Sequence, residues 1–153
     1  MDLILWRHAE AQAFLDGDDD MARELTPRGI RQAVRMASWL KCHLPEDTRM
    51  LVSPAKRCVQ TAKILGRKYK IQPEISPDAT VAQLLAAAQW PHGKHPVLLV
   101  GHQPTLGQTV AELLGISSKE CVVKRGAVWW LRERVREEQP RTVLVTVQSP
   151  EML

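Results

Sequence analysis

A chain of 153 residues is one domain's worth of sequence, long enough to bury roughly two thirds of the surface its unfolded form exposes, and no second domain is expected. Its 44% hydrophobic and 25% charged content is ordinary for a soluble globular protein, and no apolar run approaches the length of a bilayer-spanning helix. The net charge of +4 would suit a polyanion, but acids punctuate the basic segment KECVVKRGAVWWLRERVREEQPR and DGDDD at 16–20 opposes it; with no continuous basic stripe carrying interleaved aromatics, nucleic acid is not an expected partner.

The first element is LILW at 3–6, an apolar run that reads as a strand buried on both faces and that ends by presenting Arg7 and His8. Neither a basic leader nor a long apolar core precedes it, so the expected location is the cytoplasm. DGDDD follows, solubilising the loop after the first strand and standing near any pocket at the strand's end, where it would repel highly anionic substrates. Residues 27–44 then read as a helix with Thr26 as N-cap and Pro27 at the first position, and its apolar stripe is expected to run through Ile30, Val34, Ala37, Trp39, Leu40 and Leu44.

RMLVS at 49–53 is the second strand. The helix after it, 53–69, is expected to start on Ser53 as cap and Pro54 as first residue, with Cys58, Ala62 and Leu65 facing inward. A weaker strand at 69–75 contains Pro73; an alanine-rich helix at 81–90 stops before Pro91; PVLLVG at 96–101 is the fourth strand; and a helix at 103–115 ends at Gly115, the usual residue just past a helix C-terminus. AVWWLRERV and RTVLVTVQ close the chain as two strands joined by REEQP, and Trp129 and Trp130, being consecutive on a strand, should point to opposite faces. The alternation predicts an α/β fold: a single-domain three-layer sandwich with a mostly parallel central sheet, at least one antiparallel strand and helices on both faces.

Three cysteines, Cys42, Cys58 and Cys121, are an odd number without Cys-x-x-Cys spacing and read as reduced thiols. Cys58 adjoins Arg57, yet its helical spacing to Ala62 and Leu65 explains it as core. His43, His92 and His95 have no supporting ligand set; PHGKHP is a solvated loop rather than a metal pair, and no metal site is expected.

In an open α/β sheet, ligands bind beyond the carboxyl ends of the strands. Here those ends carry Arg7 and His8, Ser53 with Arg57 in the next helix's first turn, and Gly101 with His102. Two arginines and two histidines at one sheet edge suit a tetrahedral dianion, because the guanidinium fork donates paired bonds to phosphate oxygens and a neutral imidazole can attack phosphorus. The expected roles are His8 as nucleophile, with Arg7, Arg57 and His102 binding the phosphate oxygens on which charge accumulates.

These residues resemble the histidine phosphatase superfamily, which also contains the cofactor-dependent phosphoglycerate mutases. Its strand-terminal Arg-His-Gly is similar to Arg7-His8-Ala9, its Leu-Thr-x-x-Gly-x-x-Gln-Ala to LTPRGIRQA at 25–33, its Ser-x-x-x-Arg-x-x-x-Thr-Ala to SPAKRCVQTA at 53–62, and its late Gly-His to GHQP at 101–104. The resemblance covers residue 3 to about 115 and is nearest to the bacterial SixA-type phosphohistidine phosphatases. It implies a phosphorylated first histidine at His8, a phosphate pocket completed by Arg7, Arg57 and His102, no metal or cofactor, and a partner that is a phosphohistidine-bearing protein such as a phosphotransfer domain, with no membrane involved. The mutase branch carries a glutamate that protonates the leaving oxygen; QPEISPDATVAQ has no obvious counterpart, leaving Glu74 and Asp78, or Glu10 at the pocket rim, as candidate proton donors.

Lack of a strong acid favours an N–P substrate, since a phosphoimidazole protonated on its other nitrogen departs as neutral imidazole. Larger relatives insert a lid after the second-arginine helix, whereas residues 70–95 suffice for one strand and one helix, so the expected pocket is open. Two other readings compete: a broad small-molecule phosphomonoesterase or mutase, and a non-catalytic phosphoprotein-binding module, against which the intact His8 argues.

Overall fold

Four consecutive side chains, Leu3, Ile4, Leu5 and Trp6, are completely buried in the first strand, β1 (Asp2–Arg7), so both of its faces are covered. Ile4 and Trp6 pack on one side with the first two helices, while Leu3 and Leu5 pack on the other with the last two. This division of alternate residues between two cores makes the expected three-layer architecture. The computed structural model describes residues 1–136 and 138–153; Glu137, within the expected REEQP connection, lies outside the described residues.

Among the described residues six strands form one sheet in the order β3-β2-β4-β1-β5-β6, from β2 (Arg49–Val52), β3 (Lys70–Ile71), β4 (Val97–Gly101), β5 (Val128–Arg136) and β6 (Gln139–Gln148). β1, β2, β3 and β4 run parallel, β5 pairs antiparallel with β1, and β6 antiparallel with β5. The mostly parallel sheet and its antiparallel strand are as expected. Helices α1 (Pro27–His43) and α2 (Lys56–Leu65) cover one face, and α3 (Val81–Ala88) and α4 (Thr105–Leu114) the other. Trp130 joins the α1 side, edge-on to Trp39 at 6.3 Å, and Trp129 joins the opposite side, as alternation requires.

Three local readings are corrected. The strand at 69–75 shrinks to Lys70–Ile71, because Pro73, with no N–H to donate, opens a 3₁₀ turn over Pro73–Ile75. Ser53 and Pro54 precede α2, whose N-cap is Ala55 without a side-chain bond; the Ser53 hydroxyl is engaged elsewhere. On α1 the buried stripe is Gly29, Gln32, Ala33, Met36, Ala37 and Leu40, whereas Ile30 and Val34 are about half exposed. Small residues let the helix approach closely: a Cβ on Gly29 would lie 2.0 Å from the carbonyl oxygen of Glu10. Thr26 caps α1 as expected, its hydroxyl accepting from Gly29 N–H at 2.9 Å, and α4 ends on left-handed Gly115.

Candidate active site

β2, β4 and β1 are neighbours, so their carboxyl ends share one edge of the sheet. Arg7 is in register with Gly101, His8 N–H donates to Gly101 O at 3.2 Å, and Ser53 N–H donates to Val100 O at 3.1 Å. α2 leaves that edge directly and brings Arg57 in its first turn. The sequence-predicted quartet Arg7, His8, Arg57 and His102 is therefore assembled, with the rings of His8 and His102 5.3 Å apart between centroids.

His8 is 7% exposed, and its Nδ1 lies 2.7 Å from the carbonyl of Ala9. A carbonyl only accepts, so Nδ1 carries the proton and Nε2 keeps its lone pair. Burial, opposed by the Ala9 bond and assisted by the charges of Arg57, Arg7 and Arg23, pushes the His8 pKa down to about 3. The ring is thus a neutral base at neutral pH. Ala9 is held in turn by its N–H on Thr61 Oγ1 at 3.1 Å, and the Thr61 hydroxyl donates to Arg57 O at 2.8 Å, fastening the loop to α2.

The two arginines converge from different elements. Arg7 Nη1 donates to Val123 O at 2.9 Å; Arg57 Nη1 donates to Asp20 O at 2.7 Å, and its Nη2 donates to Asp20 Oδ2 at 3.1 Å and to His102 Nδ1 at 3.3 Å. Arg7 Nε and Arg57 Nε are buried without an acceptor among the described residues. Unpaired buried donors on charged groups are costly, and an anion with several acceptor oxygens would relieve that cost. Burial, then the charges of Arg125 and Arg57, lowers the Arg7 pKa, so positive charge is crowded here.

His102 is 4% exposed, and its Nε2 lies 2.7 Å from Ser53 Oγ. Since the guanidinium donates to Nδ1, Nε2 carries the proton and donates to Ser53. Burial, followed by His8 and Arg57, brings its pKa to about 3, with Asp20 opposing. Cys58 Sγ is 3.5 Å from His102 Nε2, and burial pushes the thiol up to about 12, so it stays protonated and inert, in keeping with its reading as core.

The candidate acids lie apart. Glu10 accepts from Thr26 Oγ1 at 3.0 Å and pairs with Arg28 at 3.6 Å, tying the loop after β1 to the start of α1. Glu74, bonded to the Gln72 side chain, and Asp78 are exposed beyond β3; among the described residues no hydrogen bond or ion pair joins either to the quartet. The acid that does reach it is Asp20, which sequence reasoning left inside a solvated run. It lies in a 3₁₀ turn over Asp20–Ala22, pairs with Arg57, and also accepts from Arg23 Nε at 2.9 Å. Its only sequence signal is the Arg23 three residues on, at the spacing that brings side chains together on one turn. Of the other histidines, His43 stacks on Trp39 at 4.4 Å and His95 lies 3.3 Å from Asp47.

The profile of the Histidine phosphatase superfamily (branch 1) matches residues 3–80. The chain is similar to the phosphohistidine phosphatase SixA of Escherichia coli, 35% identical over 121 residues that cover 74% of each chain, and to a phosphohistidine phosphatase SixA homolog of Haemophilus influenzae, 33% identical over 75% of this chain and 78% of the relative. Its fold superposes on a solved protein histidine phosphatase SixA complexed with tungstate with a TM-score of 0.77, at 29% identity over 99% of both chains.

Proposed function

The chain belongs to the histidine phosphatase superfamily, and from that premise we propose that it removes phosphate from phosphohistidine on signalling or phosphotransfer proteins through a covalent phosphohistidine on His8. The observation that carries the reading is the state of His8: neutral, its Nδ1 fixed on Ala9 O at 2.7 Å, its Nε2 without a partner among the described residues, beside two arginines whose Nε donors are likewise unpaired there. The substrate phosphoryl group takes the unpaired N–H groups of Arg7 and Arg57. His8 Nε2 attacks phosphorus as the P–N bond of the substrate breaks, and the bonding pair returns to the leaving nitrogen. That imidazole departs neutral because its other nitrogen already bears a proton.

Water then attacks phospho-His8, gives its proton to the products and releases inorganic phosphate with His8 regenerated. His102 has a matched part. When phosphate occupies the pocket, the Ser53 hydroxyl can turn to donate to Nε2, so that Nδ1 carries the proton and donates to a phosphate oxygen. Tungstate, the ligand of the 29% identical relative, is a tetrahedral oxyanion of the kind this pocket suits. No step requires a metal or cofactor. We read residues 1–153 as one domain without a lid insertion, since only β3, a 3₁₀ turn and α3 lie between α2 and β4; an open mouth admits a histidine on a protein surface. Three free thiols fit a reducing, cytoplasmic setting.

The test is phosphate release from a phosphohistidine-bearing phosphotransfer domain, with EDTA present, compared with release from an unactivated alkyl phosphate. Fast release from the phosphoprotein alone is expected. Comparable kcat/KM on both substrates would turn the reading to a general phosphomonoesterase, and no release from any donor would turn it to a binding module.

A further inference from the structure

We propose that Asp20 determines specificity, making this site prefer a phosphoryl group that leaves from a protonated imidazole over one that leaves as an oxyanion. The inference rests on the reading above and concerns what stands opposite the nucleophile. In the run DGDDD, Asp18 and Asp19 use their carboxylates on the loop's own backbone, accepting from Leu15 N–H at 2.9 Å and Met21 N–H at 3.0 Å. Asp20 turns inward instead. Its carboxylate meets Arg57 at 3.1 Å and Arg23 at 2.9 Å, and its carbonyl takes a second Arg57 donor at 2.7 Å.

The Arg57 side chain is 4% exposed and that of Asp20 is 41% exposed, so this carboxylate spans from the phosphate-binding floor to the solvent at the mouth. Its two arginine bonds leave further lone pairs on both oxygens. Burial pushes its pKa up, but the bonds and charges of Arg23 and Arg57 outweigh burial and hold the carboxyl below its usual range. Asp20 is therefore an anion with acceptor capacity to spare, not a proton donor.

In-line displacement places the leaving atom on the side of phosphorus opposite His8. His8 is buried, so that side faces the mouth, and the half-exposed carboxylate bonded to Arg57 on the way out is that of Asp20. A phosphoimidazole presents an N–H with positive charge there; Asp20 accepts that proton in a hydrogen bond and keeps it on the ring. The P–N bond then breaks with its electron pair returning to nitrogen, and no proton need be supplied. An ester oxygen departs with the same pair as a developing negative charge, which a fixed carboxylate opposes.

The experiment compares kcat/KM of wild type and Asp20→Asn on phosphoimidazole and on phenyl phosphate. Asn keeps the shape and one acceptor oxygen for Arg57, removing the charge and the acceptor that Arg23 uses, so Arg23→Gln is run beside it to separate the loss of that bond from the loss of the charge. A unit charge a few ångströms from the leaving atom, partly screened, is worth about tenfold. Asp20→Asn should lose about tenfold on phosphoimidazole and gain several-fold on phenyl phosphate, whereas Asp20→Glu should keep the wild-type preference. Equal losses on both substrates would overturn the proposal in favour of a brace for Arg57, and equal gains in favour of a plug competing with phosphate. If Asp20→Asn melts early, Asp20→Ser replaces it under the same two criteria. A wild type inert to phosphoimidazole but active on phenyl phosphate sinks the functional reading; the ester arm still decides here, and no gain there rejects the role of Asp20.

Discussion

The floor of the pocket and its rim are built in opposite ways. The floor, Arg7, His8, Ser53, Arg57 and His102, sits on the ends of three adjacent strands and the first turn of α2, and all but Arg7 are less than 9% exposed. The rim is a loop whose residues 12–19 are exposed and which reaches the floor through Asp20 and Arg23. Strand ends give reproducible positions for the groups proposed to bond phosphorus or its oxygens; a loop gives a position that can differ with the leaving group. Changes to the floor should thus abolish the chemistry and changes to the rim should redirect it.

The largest expected effect is at the proposed nucleophile: His8→Ala should reduce turnover of every phosphodonor to background while tungstate still binds, as followed by calorimetry. Near-normal turnover would break the comparison at once. Arg57→Ala comes next, with kcat/KM falling about 10²- to 10³-fold on N–P and O–P substrates alike, since it removes charge stabilisation common to both. A selective loss would move Arg57 from floor to rim.

Stability should divide along the same line. His8 and His102 are neutral in the folded state with pKa values near 3, against an ordinary 6.5 in the unfolded chain. Between these values the unfolded state binds more protons, so stability is complete above about pH 6.5 and falls as pH drops below it. Each histidine contributes a slope of up to about 1.4 kcal/mol per pH unit. Urea midpoints at pH 7 and pH 5 should separate for wild type and separate less for His8→Asn; equal separations would place the titrating groups elsewhere. The smallest effect is expected at the exposed Lys56–Glu24 pair, which joins the start of α2 to the loop on their solvent side: Lys56→Ala should leave the urea midpoint and kcat within error of wild type.

What could be read in the chain follows this division. β1, β2 and β4 announce themselves because burial on both faces demands unbroken apolar runs, and the residues ending those runs are the floor. The orientation of α1 is less legible. Its larger apolar residues Ile30 and Val34 suggest one stripe, but the close approach of Gly29 to the Glu10 backbone turns a neighbouring face inward, carrying Ala33, Met36, Ala37 and Leu40. Ser53 looks like a helix cap by its place before Pro54, whereas its hydroxyl is claimed by His102, a partner 49 positions away. Asp20 differs from its neighbours in a run of acids only by the Arg23 three residues on, until the 3₁₀ turn aims it at Arg57. Local rules find the elements; long-range pairing decides which polar groups they serve.

The central claim is that phosphate passes through His8, and trapping the intermediate tests it most directly. The protein is mixed with a phosphotransfer domain radiolabelled on histidine, quenched in alkali within the first turnover, and mapped by proteolysis. The account predicts an acid-labile, alkali-stable label on the peptide containing His8, absent from His8→Ala. Turnover with no label on the wild-type protein, or a label that persists in His8→Ala, would contradict it.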